Sequence, residues 1–314
     1  MSFRISPGVP FGDDIRRIAI ELIEGAIADG RPGSTTSPET IHAIRKRCKK
    51  LRAVLRLVRP CLGHAYQQEN EYFRDVANIL APLRDVHAMV AAFDAVVGGL
   101  DGEVEPATFL PLRRRLARRE RRRTGVEERL ADVRRRMEAA RERVAAWPLD
   151  DPPAPEAWGI GFEGTYRRAR RALAAAYQEP AAERFHEWRK SVKYHWYHVR
   201  LLAPLWPEAC SARAGTASAL GELLGSHHDL AVLRAALGGS PGLTDASRSL
   251  AASFVALIDR HQAHVEAAAR PLGIRLFAEK PSRIGARYEK YWTAWRDELQ
   301  GPAAPTRLAA AASG

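Results

Sequence analysis

The chain has 314 residues, 46% of them hydrophobic, and a formal charge of +12 at pH 7. That length can bury one large core or two ordinary ones, and that apolar content excludes a disordered basic tail. The charge points to a polyanionic partner. No run of about 18 apolar residues is present, so no membrane partner is expected. The opening MSFRISPGVPFGDD lacks the apolar region of a signal peptide, and the three cysteines are scattered, so a cytoplasmic chain without a disulfide framework is expected.

Residues 13–30, DDIRRIAIELIEGAIADG, place Ile15, Ile18, Leu22 and Ile23 on one side of a helix. Ser37-Pro38-Glu39 begins the next, with Ser as N-cap and Pro in the first turn, and that helix is expected to reach about Arg59-Pro60. Helices fit 65–81 and 83–97, then two Arg-rich helices 106–123 and 126–146. DPPAPEAWG (151–159) is a Pro-rich break. Beyond it the pattern predicts helices near 162–178, 181–203, 208–225, 228–237, 244–270 and 282–298. No segment alternates as a strand does. The expected class is all-α, with an N-terminal half over 13–147, a linker over 148–160 and a C-terminal half over 161–298.

The two halves share a pattern. A shift of 144 residues lays FHEWRKSVKYHWYHVRLLAP (185–204) on IHAIRKRCKKLRAVLRLVRP (41–60) without a gap. The identities are His42/His186, Arg45/Arg189, Lys46/Lys190, Lys49/Lys193, Arg56/Arg200, Leu57/Leu201 and Pro60/Pro204, five of them basic or histidine. At the same offset Asp85 meets Asp229 and Leu80 meets Leu224. Drift between repeated halves keeps core apolar positions first, so retained charges carry information. At about 100° per residue, Arg45, Lys46, Lys49 and Arg56 fall close to the direction of His42, with Arg52 beside them. Ile44, Cys48, Leu51, Leu55 and Val58 take the opposite face, as Trp188, Val192, Val199 and Leu202 do in the second copy. Five of the seven lysines (Lys46, Lys49, Lys50, Lys190, Lys193) fall in these two segments of a chain with 42 arginines.

Like charges on one helix face repel, so each stripe costs stability without a counter-ion. Phosphate oxygens remove that cost by accepting charge-assisted hydrogen bonds, and a nearby anion favours the imidazolium form of histidine. A solvated basic face is the simpler account of one such helix. Two stripes in matched register, each headed by histidine, favour a binding face.

The pattern resembles the CHAD family of histidine-marked helical domains. The residues that carry it are His42-x-x-Arg45…Lys49-Lys50-Leu51-Arg52 and Leu80-x-x-x-Arg84-Asp85, then His186-x-x-Arg189-Lys190-x-x-Lys193-x-x-x-Tyr197 and Leu224-Gly225-x-x-His228-Asp229. RLFAEKPSRIGARYEKYWTAW (275–295) is similar to the family's last helix. The resemblance spans nearly the whole chain as one domain. It implies two pseudo-symmetric four-helix-type bundles, a basic central channel and binding of inorganic polyphosphate on cytoplasmic granules, with other granule proteins as further partners. Its implied binding residues are His42, Arg45, Lys46, Lys49, Lys50, Arg52, Arg56, Arg84, His186, Arg189, Lys190, Lys193, Arg200 and His228. Asp85, Asp229, Arg167, Arg168, Arg170, Arg171 and Tyr197 are implied in support, with Asp85 and Asp229 as helix-start residues that orient Arg84 or His228. Ala81, Trp196 and Arg200 depart from the family pattern, so the second half is expected to grip with a different subset of residues.

Other constellations compete. Glu39…His42 and Glu183…His186 have the Glu-x-x-His spacing of a di-iron site, but the Arg and Lys one turn on would repel a metal. His195/His198 and His261/His264 lack Cys or carboxylate companions at metal spacing and read as packed or surface histidines. His227-His228-Asp229 has the composition of a relay. RRRLARRERRR (113–123) could bind nucleic acid, yet it has no interleaved aromatics for stacking and reads as a solvated face partly neutralised by Glu120, Glu127 and Glu128. Nucleic acid is therefore the alternative partner, expected only as a weak competitor. No Gly-x-x-x-x-Gly-Lys loop, nucleophile elbow or acidic cluster for Mg²⁺ occurs. The expectation is a binding protein without catalysis, metal or cofactor.

Overall fold

The computed structural model describes residues 3–31, 37–81, 85–99, 105–120, 125–149, 155–238 and 245–300. They form α1 (Phe11–Asp29), α2 (Pro38–Leu57), α3 (Arg59–Leu62), α4 (Ala65–Ile79), α5 (Asp85–Gly98), α6 (Leu110–Glu120), α7 (Val126–Ala145), α8 (Glu156–Gln178), α9 (Ala182–Leu201), α10 (Pro207–Gly238), α11 (Asp245–Leu276) and α12 (Pro281–Gln300). There is no strand among the described residues. The all-α class read from periodicity is what the chain adopts.

Helix ends follow local chemistry. Ser37 caps α2 as expected, its hydroxyl accepting from the Thr40 N–H at 3.3 Å. Pro60 cannot donate to a carbonyl one turn back, so α2 stops at Leu57 and the chain restarts as the short α3. α8 begins at Glu156, inside the expected linker, because Trp158 and Phe162 are drawn fully into the core. The two helices predicted over 208–225 and 228–237 are one helix, α10. Glycine at 221 serves close packing: a Cβ there would lie 2.9 Å from Lys193 Cε. α11 continues through Pro271 to Leu276, held there by burial of Leu276 and Phe277.

α1, α2, α4 and α7 pack as one four-helix group and α8, α9, α10 and α12 as another. α2 joins them by lying against α8 and α9. One apolar core runs through both groups. Ile15, Ile18, Leu22 and Ile23 of α1 enter it, as do Ile44, Cys48, Leu51, Leu55 and Val58 beside α2 and Trp188, Val192, Val199 and Leu202 beside α9. Burial pushes the Cys48 thiol up to about 12, so it packs as an inert apolar group. Full burial of one such aliphatic or aromatic side chain is worth about 1.5–3 kcal/mol. A third layer was not foreseen. α5, α6, the end of α10 and the start of α11 enclose a second core, where Phe93 stacks on Phe254 at 4.4 Å and Phe109 meets Phe254 at 4.9 Å.

Candidate polyanion-binding site

Packing the apolar side of α2 leaves its basic side outward. His42 and Lys46 are exposed, and Arg45, Lys49, Lys50, Arg52 and Arg56 are half-buried. Arg45 donates to the Ala77 carbonyl on α4. Arg52 Nε and Arg56 Nη1 both donate to Asn70 Oδ1, at 3.2 and 2.6 Å. The Arg56 guanidinium lies 4.1 Å from the Tyr194 ring centre on α9, with Arg52 at 6.0 Å, and Lys50 Nζ is 4.7 Å from that of Phe3. Among the described residues, Lys46, Lys50, Arg52 and Arg56 have no carboxylate partner. Neutral acceptors and ring faces hold these arginines in place while leaving their charge uncompensated.

The α9 face is built differently. His186 Nδ1 lies 3.1 Å from His228 Nδ1 on α10, so one imidazole donates and the other accepts. Gly221 and Gly225 of α10 face the side chains of Lys193 and Arg189, which rest against that helix. Lys193 Nζ is 3.1 Å from Glu222 and Lys190 Nζ 2.5 Å from Glu187. Lys193 and Arg200 each stand 4.8 Å from the Trp196 ring.

The faces feel each other. Burial holds the His186 pKa below its ordinary value, and Lys190, Arg189 and, from α2, Lys49 push it the same way against Glu187. Lys50 is pushed down to about 8, first by burial, then by Arg200 of α9 and by Lys46 and Arg47. Cations of two helices are therefore gathered closely enough to disfavour one another's charge. An oxyanion chain between them would oppose both shifts.

The family model for the CHAD domain matches residues 21–238, more than half of the chain. The chain belongs to the CHAD domain family. Two solved structures share the fold. PptA from Streptomyces chartreusis is 17% identical, with a TM-score of 0.57, over 86% of this chain and 100% of its own. The CHAD domain from the plant Ricinus communis is 18% identical, with a TM-score of 0.60, over 87% of this chain and 94% of its own. No curated protein matches the sequence.

The remaining candidates take varied places in this CHAD chain. Arg84 lies outside the described residues, as does the side chain of Asp85 at the start of α5. Asp229 is not a helix-start residue: it sits inside α10, because that helix runs unbroken past Gly225. Tyr197 is buried edge-on to Phe3 at 5.9 Å, and burial lifts its phenol to about 12. Arg170 donates to the Glu279 carbonyl at 2.9 Å, and Arg167 pairs with Glu163. Arg167, Arg168 and Arg171 line a cavity with Arg56.

Nor do the histidines form a relay. His227 turns into the core, its Nε2 2.8 Å from Glu266, while His228 turns to His186. His195 accepts from Arg213 at 2.9 Å and His198 donates to the Ala53 carbonyl at 2.8 Å, both fully buried as packed histidines. Among the described residues no three His, Cys, Asp or Glu side chains gather as metal ligands, and no helix is long and apolar enough to cross a membrane.

The Arg-rich helices are tied to carboxylates. Arg113 holds Asp94 through two bonds of 2.7 and 2.8 Å, Arg135 and Arg136 hold Asp132, and Arg143 holds Glu69 at 2.7 Å. None of these acids is the expected Glu127 or Glu128; the side chains of residues 118–120, Glu120 among them, and residues 121–123 of the run fall outside the described part. Asn70, Tyr194, Glu222 and Gly221 were not singled out in the sequence. The Gly-x-x-x-Gly spacing of Gly221 and Gly225 was the one local sign of close helix approach.

Proposed function

We propose that this protein binds inorganic polyphosphate along the α2 and α9 stripes and holds it without cleaving it, as a cytoplasmic scaffold on polyphosphate granules. The observation that carries the reading is the approach of cations across helices: besides burial, Lys49 of α2 pushes His186 of α9 down and Arg200 of α9 pushes Lys50 of α2 down. Charge that two helices bring together at a cost is charge arranged for an anion. Membership of the CHAD family and the concentration of lysines in both stripes support the same reading. Arg52 and Arg56 are held on Asn70 and Tyr194 before any ligand arrives, so they lose little further freedom on binding. The site offers cations and imidazoles, which grip oxyanions. Phosphoryl hydrolysis would need in addition an acid cluster for Mg²⁺ or a positioned attacking water.

A gel shift with long-chain polyphosphate tests this reading, with duplex DNA as competitor at matched phosphate. Polyphosphate should stay bound, and no free phosphate should appear with Mg²⁺ present. Lys49→Ala with Lys193→Ala should weaken binding by more than about tenfold, since charge-assisted bonds contribute ~1.5–3 kcal/mol each. Arg114→Ala with Arg115→Ala on α6, an equal change in net charge, should cost much less, because those charges act through a screened field. Equal displacement by DNA, or equal losses in the two double variants, would overturn the proposal.

A further inference from the structure

A cavity of about 680 Å³ opens where α3 and the start of α4 face α8. Its wall carries five arginines, Arg56, Arg59, Arg167, Arg168 and Arg171, together with His64. Among the described residues no carboxylate lines it. Arg167 is neutralised by Glu163 from outside the cavity. Arg59 lies over the Tyr66 ring at 4.8 Å, and Arg168 and Arg171 are exposed, with no carboxylate partner among the described residues.

The backbone shapes this space. A Cβ on Gly161 would stand 2.0 Å from the Leu57 carbonyl oxygen, so glycine there lets α8 lie directly on the end of α2. One turn on, a Cβ on Gly164 would meet nothing within 4 Å, which leaves the floor open. The break at Pro60 turns Arg59 and His64 onto the cavity wall.

The cluster has no counterpart in the other half. The 144-residue shift that aligns the stripes sets Ala203 against Arg59 and Glu208 against His64. It sets Ile23, Glu24 and Ile27 against Arg167, Arg168 and Arg171. Only Arg56 belongs to both stripe and cavity. The cavity is thus neither a by-product of the repeated pattern nor one end of a symmetric groove.

We propose that this cavity is a separate binding site for a short run of condensed phosphate groups, supplied either by the end of a polyphosphate chain or by a nucleoside triphosphate. Its volume lies in the range of small-ligand sites, about 300–1,000 Å³. Guanidinium forks match the oxygen pairs of condensed phosphates, and uncompensated arginines facing one space disfavour each other until an anion enters. Tyr66 adds a ring face beside the cations, against which a base or a further arginine can stack. The inference goes beyond the stripe reading, with which the cavity shares Arg56 and in which Arg167, Arg168 and Arg171 stand only in support.

Titration calorimetry with sodium tripolyphosphate, ATP and long-chain polyphosphate tests it. The proteins are the full chain, Arg168→Ala with Arg171→Ala, Gly164→Leu, and Lys49→Ala with Lys193→Ala. Gly164→Leu fills the cavity without changing charge and replaces a helical glycine by a better helix former. Both cavity variants should lose tripolyphosphate affinity by about tenfold or more, and the stripe variant by less than about threefold, with melting temperatures as a check on folding. ATP binding as tightly as tripolyphosphate would assign the site to nucleotides; much weaker ATP binding would assign it to chain ends. Failure of tripolyphosphate and ATP alike to bind, or loss in the stripe variant with retention in Gly164→Leu, overturns the proposal. Failure of the stripe reading would look different: long-chain binding indifferent to Lys49→Ala with Lys193→Ala.

Discussion

The α2 and α9 stripes share their residue types and register, yet they hold their charge in different ways. Arg52 and Arg56 of α2 rest on an amide oxygen and a tyrosine face, and Lys46 and Lys50 meet no carboxylate among the described residues. On α9, Lys190 and Lys193 each carry a glutamate. A stripe held by neutral groups presents its full charge to an anion. One paired with carboxylates must first release them. Matched lysines therefore do not make equivalent binding faces: Lys46 meets no carboxylate among the described residues, whereas Lys190 is paired by Glu187 of its own helix.

The sharpest way to break this comparison is to remove two lysines from each side. Lys46→Ala with Lys50→Ala should cost more than about tenfold in polyphosphate affinity by filter binding. Lys190→Ala with Lys193→Ala should cost several-fold less, because each exposed ion pair released in the wild type already offsets about 0–1 kcal/mol. Equal losses would mean that the glutamates do not compete with the polymer.

Next in size is the pH response. His186 is held below the ordinary histidine value by burial and by Lys190, Arg189 and Lys49, so it is neutral at pH 7 in the free protein. A bound polyanion favours its protonated form, so binding takes up a proton and should tighten as pH falls from 7.5 to 5.5. Calorimetry in buffers of different ionisation enthalpy would register that proton, and His186→Gln should flatten the profile. In the unliganded protein the sign is opposite. The unfolded chain binds the proton more readily, so the stability due to neutral His186 is present above its unfolded pKa, about 6.5, and is lost as pH falls below it.

Lys50 follows the same rule at higher pH. Its folded value of about 8 lies below the usual lysine range, so the unfolded state holds more protons between there and about 10.5. Charged Lys50 costs stability in full below pH 8, and the cost disappears as pH rises through that window. Lys50→Met should raise the melting temperature of the free protein at pH 7, by about 2–4 °C per kcal/mol recovered, and the gain should vanish near pH 10.5. The smallest effect is expected at Glu222→Gln, which frees Lys193 and should raise affinity by about threefold or less.

Sequence periodicity made most of the helices and both apolar faces legible, since burial selects residues by turn: Ile44, Cys48, Leu51 and Leu55 are all fully enclosed. The all-α class and the family were readable for the same reason, from spacing and motif. What escaped was set by tertiary contact. The helix predicted to end at Gly225 runs on through it, with Arg189 of α9 resting against α10 there. Asn70 and Tyr194 bear no local mark, because their role depends on where α4 and α9 meet α2. Arg59 and His64 became cavity residues only through the turn at Pro60 and the approach of α8 at Gly161.

One helix belongs to both cores. Cys210, Leu220 and Leu224 of α10 lie in the large core, and Leu230, Leu233 and Leu237 in the small one, with His228 at the handover. Stability need not be uniform along such a rod. The layer of α5, α6 and the start of α11 can open as a sub-global unit, exposing its amides to exchange while α2, α9 and the first part of α10 stay folded. The His186–His228 contact lies at this handover, and faster hydrogen exchange in α5, α6 and the start of α11 than in α2 and α9 is the expected sign of such an opening.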